Sequence, residues 1–192
     1  MDLAQPNGHS TARSMNVRVR DQLFAREYNR YLVERLISDA DWRLCLDDTY
    51  CGGLDRDRYS DTGMVFYSYH SDVPLQQIQQ DPVRTWFNTA AELILHTALG
   101  HNRAVEIDRV MWNYYSRSST GVTHQDYHEP GRTSMVYNLT NTDGGTWIED
   151  QYFQGDQGRA LIFPSELNHR GQGPEQQPYR MVLNVIFSQP DK

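Results

Sequence analysis

The chain has 192 residues, a formal net charge of −7 and a hydrophobic fraction of 38%, which fits one domain with an ordinary core. An acidic chain without a basic run argues against an electrostatic grip on nucleic-acid phosphates. No stretch approaches the roughly 18 consecutive apolar residues of a membrane span.

Residues 1–15, MDLAQPNGHSTARSM, contain no apolar core after their first basic residue, so they read as a disordered lead-in and not as a secretory signal. That reading points to a cytoplasmic protein, and therefore to two free thiols at Cys45 and Cys51 instead of a disulfide. Residues 16–192 read as one domain. Over 20–38, Phe24, Tyr28, Leu32 and Leu36 recur every fourth position and predict a helix with one apolar face. Residues 46–80 are rich in Gly, Asp, Ser and Tyr and predict long loops that shape a substrate mouth, with a strand at MVFYSY. A second helix follows in DPVRTWFNTAAELILHTALG: Asp81 is suited to cap it, Pro82 to its first turn and Gly100 to its end.

From about residue 104 the pattern changes to short strands: VEIDRVMWNYY, TSMVYNL, GTWIE, RALIFP and RMVLNVIFS. NTDGGT, between the second and third, reads as a hairpin turn. Closely spaced strands with turn punctuation predict a mainly β protein, an antiparallel jelly roll of about 104–189 with the two helices packed on one sheet.

The segment GVTHQDYHEPG places His124, Asp126 and His128 within five positions. A helical zinc-peptidase site needs Glu directly after its first His, but Gln125 stands there, and Gly121, Pro130 and Gly131 oppose a helix. In an extended chain His124 and Asp126 point to one side and Gln125 to the other. A third ligand from a distant strand would complete the two-His, one-carboxylate arrangement that leaves three corners of a metal open. His128 and His169 are the histidines that follow. His128 lies where the chain turns towards Pro130, whereas His169 sits between two strands, and it is the preferred ligand. Eleven residues beyond it, Arg180 opens an apolar strand. It either lies in solvent at the strand edge or grips a carboxylate in bidentate geometry.

Taken in order, NYYSRSSTGVTHQD, SMVYNL, GGTW, GRALIFPS, NHRG and YRMVLNV resemble the Fe(II)- and 2-oxoglutarate-dependent dioxygenases of the prolyl-4-hydroxylase-like group, over roughly residues 106–188. The resemblance implies a cupin-like double-stranded β-helix. It implies His124, Asp126 and His169 as catalytic iron ligands, with Arg180 and Tyr115 on 2-oxoglutarate. Fe(II), 2-oxoglutarate and O2 are the implied cofactor and co-substrates, with ascorbate as an accessory reductant. The implied reaction hydroxylates an unactivated C–H bond of an amino-acid, peptidyl-proline or small-molecule substrate and releases succinate and CO2. The alternatives are a cupin-like metal-binding protein without oxygenase activity and a nucleic-acid demethylase of the same fold, the latter disfavoured by the net charge. Trp112 and Trp147 read as core, Asn113 as sharing the pocket face with Tyr115, and Arg132 as solvated. Of Tyr137 and Asn138, which alternate, one faces inward.

Overall fold

The computed structural model describes residues 16–44, 63–100 and 104–189; the lead-in, Cys45, Cys51 and much of the long loop lie outside them. The strands are β1 (Arg18–Arg20), β2 (Arg43–Leu44), β3 (Gly63–His70), β4 (Glu106–Ser116), β5 (Thr133–Asn138), β6 (Gly145–Ile148), β7 (Gln151–Gln154), β8 (Ala160–Pro164), β9 (His169–Gln172) and β10 (Tyr179–Ser188). The helices are α1 (Arg26–Asp39), α2 (Leu75–Gln79) and α3 (Pro82–Leu99). Seven strands form the major sheet in the order β1-β8-β5-β10-β4-β3-β2, and three form the minor sheet, β7-β6-β9. The named ladders are antiparallel. This is the expected mainly β jelly roll. No helix among the described residues is long and apolar enough to cross a membrane.

The central strands of the major sheet are buried on both faces, because each face packs on a different layer. Trp112, Tyr137 and Leu183 point outward into a core with Leu32 and Leu36 of α1 and Phe87, Ile94 and Leu95 of α3. Val136 and Val182, one residue out of phase with Tyr137 and Leu183, point inward with Leu161 and Phe163 of β8 and meet Ile148 of the facing sheet. Each fully buried Leu, Ile or Phe contributes roughly 1.5–3 kcal/mol, so α1 and α3 are held chiefly by these rings and branched chains. Trp112 belongs to this core, as expected, and its indole Nε1 donates to Ser68 Oγ at 3.1 Å.

Two expectations change. The first helix begins at Arg26, not at 20. Phe24 lies ahead of it, stacked on Tyr28 with ring centres 4.8 Å apart, and buried Asn29 secures the start by donating to Ala25 O at 3.2 Å. The α3 signals hold: Asp81 Oδ1 accepts from the amides of Val83 and Arg84 at 2.9 and 3.1 Å, and Gly100 ends the helix with φ 81°. NTDGGT is not a hairpin. β5 pairs with β8 and β10, while β6 pairs with β7 and β9, so the segment carries the chain from one sheet to the other. The hairpin follows at Glu149-Asp150, where Ile148 pairs with Gln151. Turn composition alone does not separate a hairpin from a change of sheet.

Candidate metal centre and adjoining anion site

His124 does not lie in a strand. It forms a single antiparallel bridge with His169, in which the His124 amide donates to His169 O at 3.0 Å and the reverse bond is 2.8 Å. Asp126 follows in a bend whose amide donates to Ser165 O at 3.1 Å. The outcome is nevertheless the one strand parity predicts: ligand atoms of His124, Asp126 and His169 lie within 4.8 Å of one another. His169 Nε2 is 3.4 Å from Asp126 Oδ2, and His124 Nε2 is 3.9 Å from Asp126 Oδ1. Adjacent corners around a metal with bonds of ~2.1 Å are about 3 Å apart.

Both imidazoles are oriented by the backbone. His124 Nδ1 lies 2.9 Å from Val122 O, and His169 Nδ1 lies 3.0 Å from Leu167 O. A carbonyl only accepts, so each Nδ1 carries the proton and each Nε2 presents its lone pair to the centre. Phe163 packs edge-on against His169 at 5.0 Å. Asp126 has 1% of its side chain exposed. It accepts from Arg109 Nη2 at Oδ1, and at Oδ2 from Ser134 Oγ at 2.6 Å and Asn184 Nδ2 at 3.3 Å.

These contacts set the charges. Burial alone would raise the Asp126 pKa, but the Arg109 charge, followed by both histidines, holds it well below the usual carboxylate range. Burial would lower His169, yet the hydrogen bond and charge of Asp126 outweigh it and raise the value. Desolvation, then the neighbouring His169, lowers His124, although 45% of its side chain is open to solvent.

Arg180 is completely buried. Its guanidinium donates to Asn138 Oδ1 (2.8 and 3.2 Å), Thr146 Oγ1 (2.8 Å), Gly145 O and Gln172 O (3.4 Å). All of these partners are neutral, and desolvation lowers its pKa to about 10, so at neutral pH it is a buried cation without a counter-anion among the described residues. Tyr115 is its register partner on β4, and the guanidinium lies 5.4 Å from the phenol ring. The same ring packs against Gly171, where an added Cβ would collide with Tyr115 Oη and Cζ. Gly171 is two residues beyond His169 on β9, about 7 Å along the strand. Tyr115 thus links the histidine wall to Arg180.

The other expectations resolve by parity. Asn138 faces inward to Arg180, and Tyr137 faces the helices, its hydroxyl donating to Asn29 Oδ1 at 2.6 Å. Asn113 is buried on the Tyr115 face. His128 is exposed and bonds Gln125 Oε1 at 2.8 Å, away from the triad. Trp147 is only partly buried; its ring is tilted against Tyr152 with centres 5.1 Å apart and lies under the Arg170 guanidinium at 5.4 Å. Arg132 is not simply solvated: it pairs with Asp108 at 2.7 Å and lies over the Tyr127 ring. Sequence reasoning missed Arg109, Ser134 and Asn184. Two of them carried a signal. Arg109 has the parity of Tyr115 on β4, and Asn184 is a lone amide in the apolar run RMVLNVIFS with the parity of Arg180.

Solved structures share this architecture. A Pseudomonas putida prolyl-4-hydroxylase aligns at 12% identity over 92% of this chain and 94% of its own, with a TM-score of 0.57. A viral collagen prolyl hydroxylase from Paramecium Bursaria Chlorella virus-1, in complex with 2-oxoglutarate, gives 10% identity over 91% and 96%, with a TM-score of 0.55. HygX from Streptomyces hygroscopicus, with nickel and 2-oxoglutarate bound, gives 10% identity over 91% and 83%, with a TM-score of 0.59. No family model matches the sequence, and no curated relative matches it. The fold is therefore that of the Fe(II)/2-oxoglutarate oxygenases, and at these identities the likeness is one of fold.

Proposed function

We propose that the chain is an Fe(II)- and 2-oxoglutarate-dependent dioxygenase. In this reading it hydroxylates an unactivated C–H bond of an amino-acid, peptidyl-proline or small-molecule substrate, releasing succinate and CO2. The observation that carries the proposal is the convergence of His124, Asp126 and His169. Two neutral imidazoles and one ionised carboxylate are the donor set of non-haem Fe(II) centres, and the oriented Nε2 atoms match it. The uncompensated Arg180 cation supports the second half of the reading. A carboxylate arriving beside it would replace neutral hydrogen bonds by charge-assisted ones, and a dicarboxylate is the co-substrate that would also reach the triad.

Iron with 2-oxoglutarate and O2 supplies the oxidising power when bound. The chain's own residues do the rest. His124, Asp126 and His169 would hold the metal through two imidazole nitrogens and one carboxylate. Arg180 and Tyr115 hold the distal carboxylate and so orient the other end of the co-substrate towards the triad. Ascorbate would serve as an accessory reductant. The net charge of −7 argues against nucleic acid as substrate.

The test is anaerobic. Fe(II) and 2-oxoglutarate together should produce a weak visible charge-transfer band, and succinate release should follow with air and a substrate from a panel of free amino acids and proline-containing peptides. Absence of the band at saturating ligand would overturn the proposal in favour of a metal-binding roll without oxygenase activity.

A further inference from the structure

Three strands of the major sheet converge on Asp126. Ile186 of β10 is the register partner of both Arg109 on β4 and Ser134 on β5. Asn184 lies two residues before Ile186 and so points to the same face. These side chains form a closed set. Arg109 Nη2 donates to Asp126 Oδ1 and, at 3.3 Å, to Asn184 Oδ1; Asn184 Nδ2 donates to Asp126 Oδ2 at 3.3 Å; Ser134 Oγ donates to the same oxygen at 2.6 Å. Because the single Ser134 proton goes to Asp126, the 2.8 Å contact between Ser134 and Ser165 hydroxyls has Ser165 as donor.

An ionised carboxylate offers two lone pairs on each oxygen. Ser134 and Asn184 both donate to Oδ2, and His169 Nε2 lies 3.4 Å from the same oxygen. Arg109 takes one on Oδ1 and leaves one free. A carboxylate that bound a metal through both oxygens would fill an extra corner, one that a chelating co-substrate and O2 need. The arrangement also opposes simple electrostatics, since a guanidinium beside the ligand repels a cation. A purely electrostatic design would omit Arg109.

Resting on the dioxygenase reading, we propose that Arg109, Asn184 and Ser134 are positioning residues that fix the Asp126 carboxylate, restrict it to one-oxygen ligation and thereby keep the remaining corners open. The probe is Co(II), whose visible spectrum reports coordination number, titrated anaerobically into the whole chain with and without 2-oxoglutarate. Arg109→Met and Asn184→Ala should each weaken Co(II) binding about tenfold or more and change the Co(II) spectrum. Arg109→Lys, which keeps the charge but not the fork, should recover part of the affinity. Unchanged spectra with affinities within twofold of the parent in folded variants would overturn the proposal. So would tighter Co(II) binding by Arg109→Met with an unchanged spectrum, because Arg109 would then act by charge alone. If Arg109→Met does not fold, Ser134→Ala decides: it frees a lone pair on Oδ2, and an unaltered spectrum would again overturn the idea. Failure of the parent chain to bind Co(II) would overturn the metal-site reading itself and this inference with it, an outcome distinct from a parent that binds and variants that match it.

Discussion

His124 and His169, 45 residues apart in the chain, bond to each other through their backbones, amide to carbonyl in both directions, at 3.0 and 2.8 Å. Their rings lie 4.4 Å apart. Because the bridge is made by main chain, the two histidines are brought together by folding, and removing a side chain leaves the bridge intact. His169→Ala should keep the far-UV spectrum of the parent while losing metal binding. Metal should stabilise the parent by about 2.7 kcal/mol at a hundredfold excess over its Kd and should not stabilise the variant; thermal unfolding with and without Co(II) measures both.

Acid should weaken metal binding early. Asp126 raises His169 above the ordinary histidine value of about 6.5. In the metal-free chain this protonation contributes stability that is complete below the ordinary value and is lost as pH rises through the raised one. A metal needs the same nitrogen bare. Co(II) affinity should therefore begin to fall above pH ~6.5 on acidification, at a higher pH than for an unperturbed imidazole. Asp126 acts in the other direction: its lowered value contributes stability above the ordinary carboxylate range that is lost only as pH falls through the folded value. Co(II) titrations across the neutral range give the profile, and a midpoint below that of free imidazole would contradict it.

Asp126→Gly should abolish hydroxylation, because it removes the charged ligand and leaves Arg109 and both histidines without a counter-charge. Succinate release coupled to product formation measures this. Full activity in the purified variant would overturn the assignment of the triad.

Gly171→Ala tests the co-substrate side without touching a ligand. The added methyl would collide with the Tyr115 phenol, and Tyr115 would have to leave its place beside Arg180. The half-saturating concentration of 2-oxoglutarate should rise about tenfold or more, equivalent to losing a hydrogen bond of roughly 1.5–3 kcal/mol to a charged group. Co(II) affinity in the absence of 2-oxoglutarate should change little. Equal loss of both would show that the substitution disturbs the whole wall.

Tyr137→Phe probes the helix layer. It removes the 2.6 Å bond to buried Asn29 Oδ1 and leaves that acceptor unpaired, a loss of about 1–3 kcal/mol. The Tm should fall by roughly 2–4 °C for each kcal/mol, with metal affinity unchanged, because Tyr137 faces the helices while Asn138 faces the site.

Much of this was legible in the sequence because it depends on short-range rules. Strand parity selects His124 and Asp126 over Gln125; capping chemistry bounds α3; a buried-looking Arg in an apolar strand marks Arg180. Those rules follow from backbone geometry within a few residues. The change of sheet at NTDGGT, the start of α1 and the pairing of β9 were decided elsewhere, by which strand each segment meets. The same holds for the residues around Asp126. Arg109, Ser134 and Asn184 come from β4, β5 and β10, and only the register of the sheet, with Ile186 between two of them, sets them on one patch. Sequence determined which groups have the chemistry of the site. Tertiary structure decided which of their neighbours hold them, because hydrogen-bond partners 17 and 58 residues from Asp126 are chosen by packing and not by local propensity.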